Sequence, residues 1–425
     1  MTLDFQQLAT QLDDLGPALR SQGAKAGENL TRALAEMHAW ASRRLARALE
    51  VVHAWARRPD DLRRRLAEAQ TSWRPAEPLR EPLDAAIHAP PLPADYVALA
   101  TDGSHIDVER HSPLPCYLLN VGWARIRYGR SPDAELASRP ELTYGDERLV
   151  LADPSDASRQ APVRGALLAA LRAVREVEAL AELADLAEAE LPVLALVDGT
   201  FLLWGLAREE ITAPVKRCLL DEGMIPALDR LRTIAQERPI LAAGYVSQPD
   251  RAEVVHSLRL AVCPMTRVDC RACPRRDDGS RPCDDVGVAT DRQLFAALLA
   301  PGQRSAVFVR QPTPGSIEAQ YYGEHRPAAF YLRTPAGGTD EIACVEMPLW
   351  LAKDGERVAA LHALLLDQCR RNMGYPLALM EAHEQAVITG HERESFRRLL
   401  ESEVAAEGLA AGTSAKALSK RGRWL

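Results

Sequence analysis

Two aspartates stand at matching places in the chain: Asp102 in Val97-Ala98-Leu99-Ala100-Thr101-Asp102-Gly103-Ser104, and Asp198 in Val193-Leu194-Ala195-Leu196-Val197-Asp198-Gly199-Thr200. Each follows an apolar run with the length and bulk of a buried strand, and each precedes glycine and a hydroxyl residue that permit a sharp turn. Carboxylates projecting from neighbouring strand ends offer hard oxygen ligands to Mg²⁺ or Mn²⁺, the ions of phosphoryl-transfer nucleases. A single Asp-Gly-Ser is an ordinary turn. The repetition of strand, acid, glycine and hydroxyl is what points to a divalent-metal site.

A second constellation is Cys263, Cys270, Cys273 and Cys283, spaced C-x6-C-x2-C-x9-C within a Pro-, Arg- and Asp-rich insertion at 261–285. The N-terminus lacks the basic-then-apolar build of a secretory leader and no window has the uninterrupted apolar length of a membrane span, so the chain reads as cytoplasmic with no membrane partner. Disulfides are disfavoured there. Four thiolates around one structural ion, Zn²⁺ or a [4Fe–4S] cluster, account for the spacing, against the plainer reading of a loop with free thiols. Arg267, Arg271, Arg275, Arg276 and Arg281 add positive charge to the insertion. The remaining cysteines, Cys116, Cys218, Cys344 and Cys369, sit in apolar surroundings and read as core residues.

The elements that must position these groups are those of a mixed α/β chain. With 425 residues, 47% of them hydrophobic, the sequence can bury a large core. A net charge of −7 argues against coating nucleic acid by bulk electrostatics but leaves room for a local basic groove. Leu30, Leu34, Met37, Trp40, Leu45 and Leu49 recur at helical spacing, and residues 1–88 read as a helical N-terminal arm. Its basic stretch, Arg57 to Arg65, is broken by Asp60 and Asp61 and reads as a solvated face. A connector, Ala89-Pro90-Pro91-Leu92-Pro93, leads into the first signature strand. One or two strands are expected over 116–128, and a long helix over 162–190 runs into the second signature strand. Helices follow near 215–236 and 250–260, with a strand at 239–246 between them. Strands at 305–310, 327–333 and 341–346 precede helices at 355–372 and 376–390. A mixed sheet flanked by helices binds ligands beyond the carboxyl ends of its central strands, which brings Asp102 and Asp198 together. Residues 401–425 read as a basic flexible tail.

The ordered set of motifs resembles the NurA-type DNA repair nucleases. It comprises Ala100-Thr101-Asp102-Gly103-Ser104, Val197-Asp198-Gly199-Thr200-Phe201-Leu202, Ala243-Gly244-Tyr245-Val246-Ser247, Asp291-Arg292-Gln293-Leu294-Phe295 with Gly302-Gln303-Arg304-Ser305, Val345-Glu346-Met347-Pro348-Leu349-Trp350, and Gly374-Tyr375-Pro376-Leu377-Ala378-Leu379 with Ala382-His383. The resemblance spans residues 94–400, and the cysteine insertion is an addition to it. It implies an RNase H-like fold and a Mn²⁺-dependent (or Mg²⁺-dependent) single-strand endonuclease and 5′-to-3′ exonuclease. It further implies a homodimer acting on single-stranded DNA and duplex ends with a HerA-type hexameric ATPase in end resection of double-strand breaks. A non-catalytic scaffold of the same fold is the alternative.

Carried over by position, the resemblance makes Asp102 and Asp198 metal ligands and adds His383, with Tyr375 beside it. It also calls for a glutamate from the helix before the second signature strand, where Glu176, Glu178 and Glu182 compete. Glu178 continues the apolar stripe of Leu171 and Val174 and is expected to face the sheet, with Glu176 pointing away and Glu182 one turn further on. Glu346, at a strand end, reads as a further ligand or as the partner of a basic neighbour. Asp291 reads as a helix N-cap.

Overall fold

Val, Leu, Ile and Ala fill the segments 97–100, 193–197 and 240–243, and their side chains are buried. Strands apolar on both faces belong at the centre of a sheet covered on both sides. The computed structural model describes residues 42–71, 73–108, 114–153, 156–188, 190–203, 212–275, 279–286, 290–312, 316–335 and 341–407. Leu30, Leu34, Met37 and Trp40 of the expected arm, Arg276, and the end of the chain from residue 408 lie outside these. No helix among the described residues is long and apolar enough to cross a membrane.

In chain order the strands are β1 (Ala76–Pro78), β2 (Ile87–His88), β3 (Tyr96–Ile106), β4 (Cys116–Tyr128), β5 (Asp133–Tyr144), β6 (Val150–Asp153), β7 (Asp156–Pro162), β8 (Val193–Asp198), β9 (Ile240–Val246), β10 (Gln303–Arg304), β11 (Phe308–Arg310), β12 (Pro327–Thr334) and β13 (Glu341–Pro348). All but the β6–β7 hairpin join one mixed sheet, in the order β1-β11-β12-β13-β9-β8-β3-β4-β5 with β10 and β2 attached at β12. The antiparallel meander β3-β4-β5 followed by parallel β8 and β9 is the RNase H-like arrangement. On its far side, β13 pairs antiparallel with β9 and extends the sheet.

The principal helices are α1 (Pro59–Glu68), α2 (Ala166–Leu186), α3 (Ile225–Glu237), α4 (Glu253–Ala261), α5 (Asp291–Leu298), α6 (Gly355–Arg371), α7 (Leu377–Ala386) and α8 (Gly390–Ala406). On one face of the sheet α2 and α3 bury Leu168, Leu171, Leu180, Leu228 and Leu231 against Val97, Leu99, Val193 and Ala195. The other face carries α6 and α7, packed on Ala98, Ala100, Leu194 and Leu196. In a third cluster Val51, Val52, Leu62 and Leu66 meet α4, α5, Phe308 and Tyr331, so residues 42–68 share a core with the outer strands.

Several elements differ from the sequence reading: the expected helical arm 1–88 contains the strands β1 and β2, the β6–β7 hairpin was not expected, and α8 carries helix to Ala406, into the expected tail 401–425. β5 was not expected: its side chains are mostly exposed and it contains Pro140, so no apolar alternation marks it, yet the long edge of β4 supplies partners from Cys116 to Arg127. Asp291 does not cap its own helix. Thr290 takes that place, and the buried Asp291 carboxylate instead accepts from Val254 N and Val255 N at the start of α4 and from the Tyr331 hydroxyl. Burial pushes its pKa up to about 6.

Candidate active site

Parallel pairing of β3 with β8 ends at Thr101 opposite Val197, so Asp102 and Asp198 emerge side by side at adjacent strand ends. Beyond this point β3 stays paired with β4 while β8 turns away through Gly199, which opens a crevice at the carboxyl ends of the parallel strands. The opposing carboxylates are thus placed by backbone register alone.

Asp102 Oδ1 accepts from Gly103 N at 2.7 Å, and its Oδ2 lies 2.7 Å from His383 Nδ1. His383 reaches it because α7 lies almost on the backbone of β4: a Cβ added at Gly122 would meet Ala386 N at 2.4 Å and Ala382 O at 2.6 Å. The last turn of α7 is tied down by the sheet, since Ala386 O accepts from Ser104 Oγ and from Asn120 Nδ2 at 2.9 Å. The hydroxyl residue of the first signature therefore anchors the helix that carries the histidine. Tyr375, just before α7, donates its hydroxyl to Asp198 and stands edge-on to Tyr245, ring centroids 5.4 Å apart.

The third acid in the crevice is Glu176. Its carboxylate is buried against β3, where a Cβ on Gly103 would lie 2.5 Å from Oε1, and its backbone carbonyl accepts from Thr101 Oγ1 at 2.9 Å. The expectation for Glu178 is corrected: it pairs with Arg175 at 2.7 Å on the side of α2 that faces Gly223 and α3. Val174 packs on Gly223 too, so the Val174 and Glu178 side of α2 meets the neighbouring helical segment. Glu182 is further out, paired with Arg139.

Two of the three acids are shifted by the cleft. Burial pushes Glu176 up to about 8, opposed by Arg172 and assisted by Asp102 and Asp198. Asp198 is also raised, first by desolvation within the cleft and then by Asp102, against the lowering effects of Tyr375, His383 and Arg172. Glu176 Oε1 is buried without a hydrogen-bond partner. A buried, unsatisfied carboxylate oxygen beside two further acids is a donor set suited to a hard divalent cation. Among the described residues, no three His, Cys, Asp or Glu side chains already stand in metal-cage geometry. Asp102 is turned toward His383, as its hydrogen bond requires.

Glu346 is not among these acids. Buried at the end of β13, it accepts from Arg251 and from Thr200 Oγ1, and so braces the turn that follows Asp198. The four-thiolate centre expected from the cysteine spacing is likewise not assembled among the described residues. Cys283 is held by Arg259 and adjoins Cys263, whereas Cys270 is tethered through its backbone N–H to Gln70 O and Cys273 Sγ donates to Pro274 O. Arg259 also stacks on Trp73 at 3.9 Å and pairs with Asp284, and these side-chain contacts tie the loop to α4.

A family model for the NurA domain matches residues 96–388, which include all five crevice residues, Asp102, Glu176, Asp198, Tyr375 and His383. No curated protein matches the sequence. Among solved structures, the C-terminal lobe of a budding yeast Argonaute aligns at 11% identity with a TM-score of 0.25, over 76% of this chain and 51% of that one. The chain thus spans about half the length of that relative, and so distant a likeness carries no functional argument. With the family match covering most of its length, the chain belongs to the NurA family of DNA repair nucleases.

Proposed function

We propose that the crevice is a divalent-cation site for phosphodiester hydrolysis, with Asp102, Glu176 and Asp198 as its carboxylate ligands. The observation that carries this reading is the convergence of three acids from β3, α2 and β8 on one opening, one of them buried with an unsatisfied oxygen. Bound there, Mn²⁺ or Mg²⁺ supplies charge neutralisation for the phosphodiester oxygens and eases ionisation of water. His383, engaged through Nδ1 by Asp102, has Nε2 left to move a proton or to touch a phosphate oxygen. Tyr375 holds the Asp198 carboxylate in place.

Family membership supports the finer assignments: single-strand endonuclease and 5′-to-3′ exonuclease activity, a homodimer, and joint action with a HerA-type hexameric ATPase at duplex ends. The test is digestion of 5′- and 3′-labelled single-stranded and duplex DNA with Mn²⁺, Mg²⁺ or EDTA. Wild type is expected to cleave with Mn²⁺, EDTA to abolish cleavage, and Asp198→Ala to lose about 100-fold or more. Absence of cleavage in every metal, even with the ATPase added, would leave the scaffold reading in its place.

A further inference from the structure

Arg172 lies one turn before Glu176 on α2, and the chemistry above does not use it. Its Nε is 3.1 Å from Glu176 Oε1, and its stem crosses Gly103, where an added Cβ would meet Arg172 Cγ at 2.9 Å and Cδ at 3.2 Å. Its charge also lowers the pKa of Asp198, so one cation serves acids from two elements. The Arg172 side chain is 33% exposed while that of Glu176 is 7% exposed, so the guanidinium is open to solvent where the acid it pairs with is not.

The pair is held by charge rather than by directional bonds: neither Arg172 Nε nor Glu176 Oε1 makes a hydrogen bond of good geometry. Elsewhere in the molecule buried Arg–Glu pairs are bonded firmly, as where Arg304 grips both oxygens of Glu81 at 2.7 and 3.0 Å. A guanidinium and a divalent cation are alternative partners for the same carboxylate oxygen. The planar fork of arginine, once released, matches two oxygens of a phosphodiester.

We propose that Arg172 is an exchangeable counter-ion of the cleft, pairing with Glu176 until a divalent cation takes that carboxylate and then donating its N–H groups to the DNA phosphate beside it. This rests on the cleft being the divalent-cation site proposed above. Two measurements on the full chain test it without turnover: calorimetric titration with MnCl₂, and binding of a fluorescein-labelled single-stranded oligonucleotide in Ca²⁺. Arg172→Ala is expected to bind Mn²⁺ about threefold tighter or more, because the competing cation is gone, and to bind the oligonucleotide about tenfold more weakly. Arg172→Lys keeps the charge without the fork. It is expected to hold Mn²⁺ affinity near wild type and still to lose several-fold in oligonucleotide binding, and it carries the test should the alanine variant fail to fold. Unchanged or weaker Mn²⁺ binding by Arg172→Ala, or undiminished oligonucleotide binding by either variant, would overturn the proposal. Asp198→Asn separates the two readings. It should weaken Mn²⁺ at least about tenfold, and if it does not, the cation site itself fails and Arg172 has nothing to exchange with.

Discussion

Three carboxylates within one crevice gain nothing from proximity by themselves, since like charges raise one another's pKa, and burial adds to the penalty at Glu176. Such an arrangement opposes stability and is kept where a cation or a substrate repays it. Glu176→Gln is accordingly expected to lower Mn²⁺-supported DNA cleavage about 100-fold or more, while Glu178→Gln, which loses only a partly exposed pair with Arg175, stays within about threefold in the same assay. The two aspartates were legible in the sequence because backbone register places them: an apolar strand followed by Asp-Gly needs no knowledge of neighbours. The glutamate was not. Helix α2 is buried around much of its circumference, with Val174 against Gly223 and Glu176 against the sheet, so its apolar stripe does not select a single inward face.

The elements act on the site mainly through close approach. Ala at position 122 would drive a methyl group into backbone atoms of α7, which cannot rotate aside as a side chain can. Gly122→Ala is expected to cost about 1–3 kcal/mol in urea unfolding and to reduce cleavage by drawing His383 away from Asp102. Helix α6 carries a different liability. His362 is fully buried with Nε2 3.0 Å from Gly302 O, and burial pushes its pKa down to about 4. The folded state thus refuses a proton that the unfolded chain accepts near its ordinary value of about 6.5, and stability falls as the pH drops through the interval between the two. At pH 5 the loss is expected to be about 2 kcal/mol relative to pH 7.5, seen as a lower urea midpoint, and His362→Gln should flatten that dependence. Periodicity and apolar runs revealed most elements near the site, including β8, β9, α6 and α7. It could not reveal β5, whose stability comes from its partner β4 rather than from its own side chains.

At the scale of the molecule, the sheet ends on one side at β5, a long edge strand exposed on its flanks. Pro140 removes a backbone donor there, and Asp133, Glu135, Arg139 and Glu141 place charge along the same strand, which opposes pairing with another chain. The other side ends in short strands covered by the cluster that includes α1, α4 and α5. The cleft lies between these halves, and its parts come from distant stretches: the Asp102–His383 contact joins residues 281 apart, and Ser104 meets Ala386 across 282. Neither contact exists in a chain that stops before α7. A variant ending at residue 376 is expected to show no cleavage in the labelled-DNA assay, because it lacks His383 and the helix whose final carbonyl Ser104 holds. The same geometry bears on biosynthesis: both aspartates leave the ribosome well before His383, so the Asp102–His383 contact closes only when the last helix of the cleft has been made.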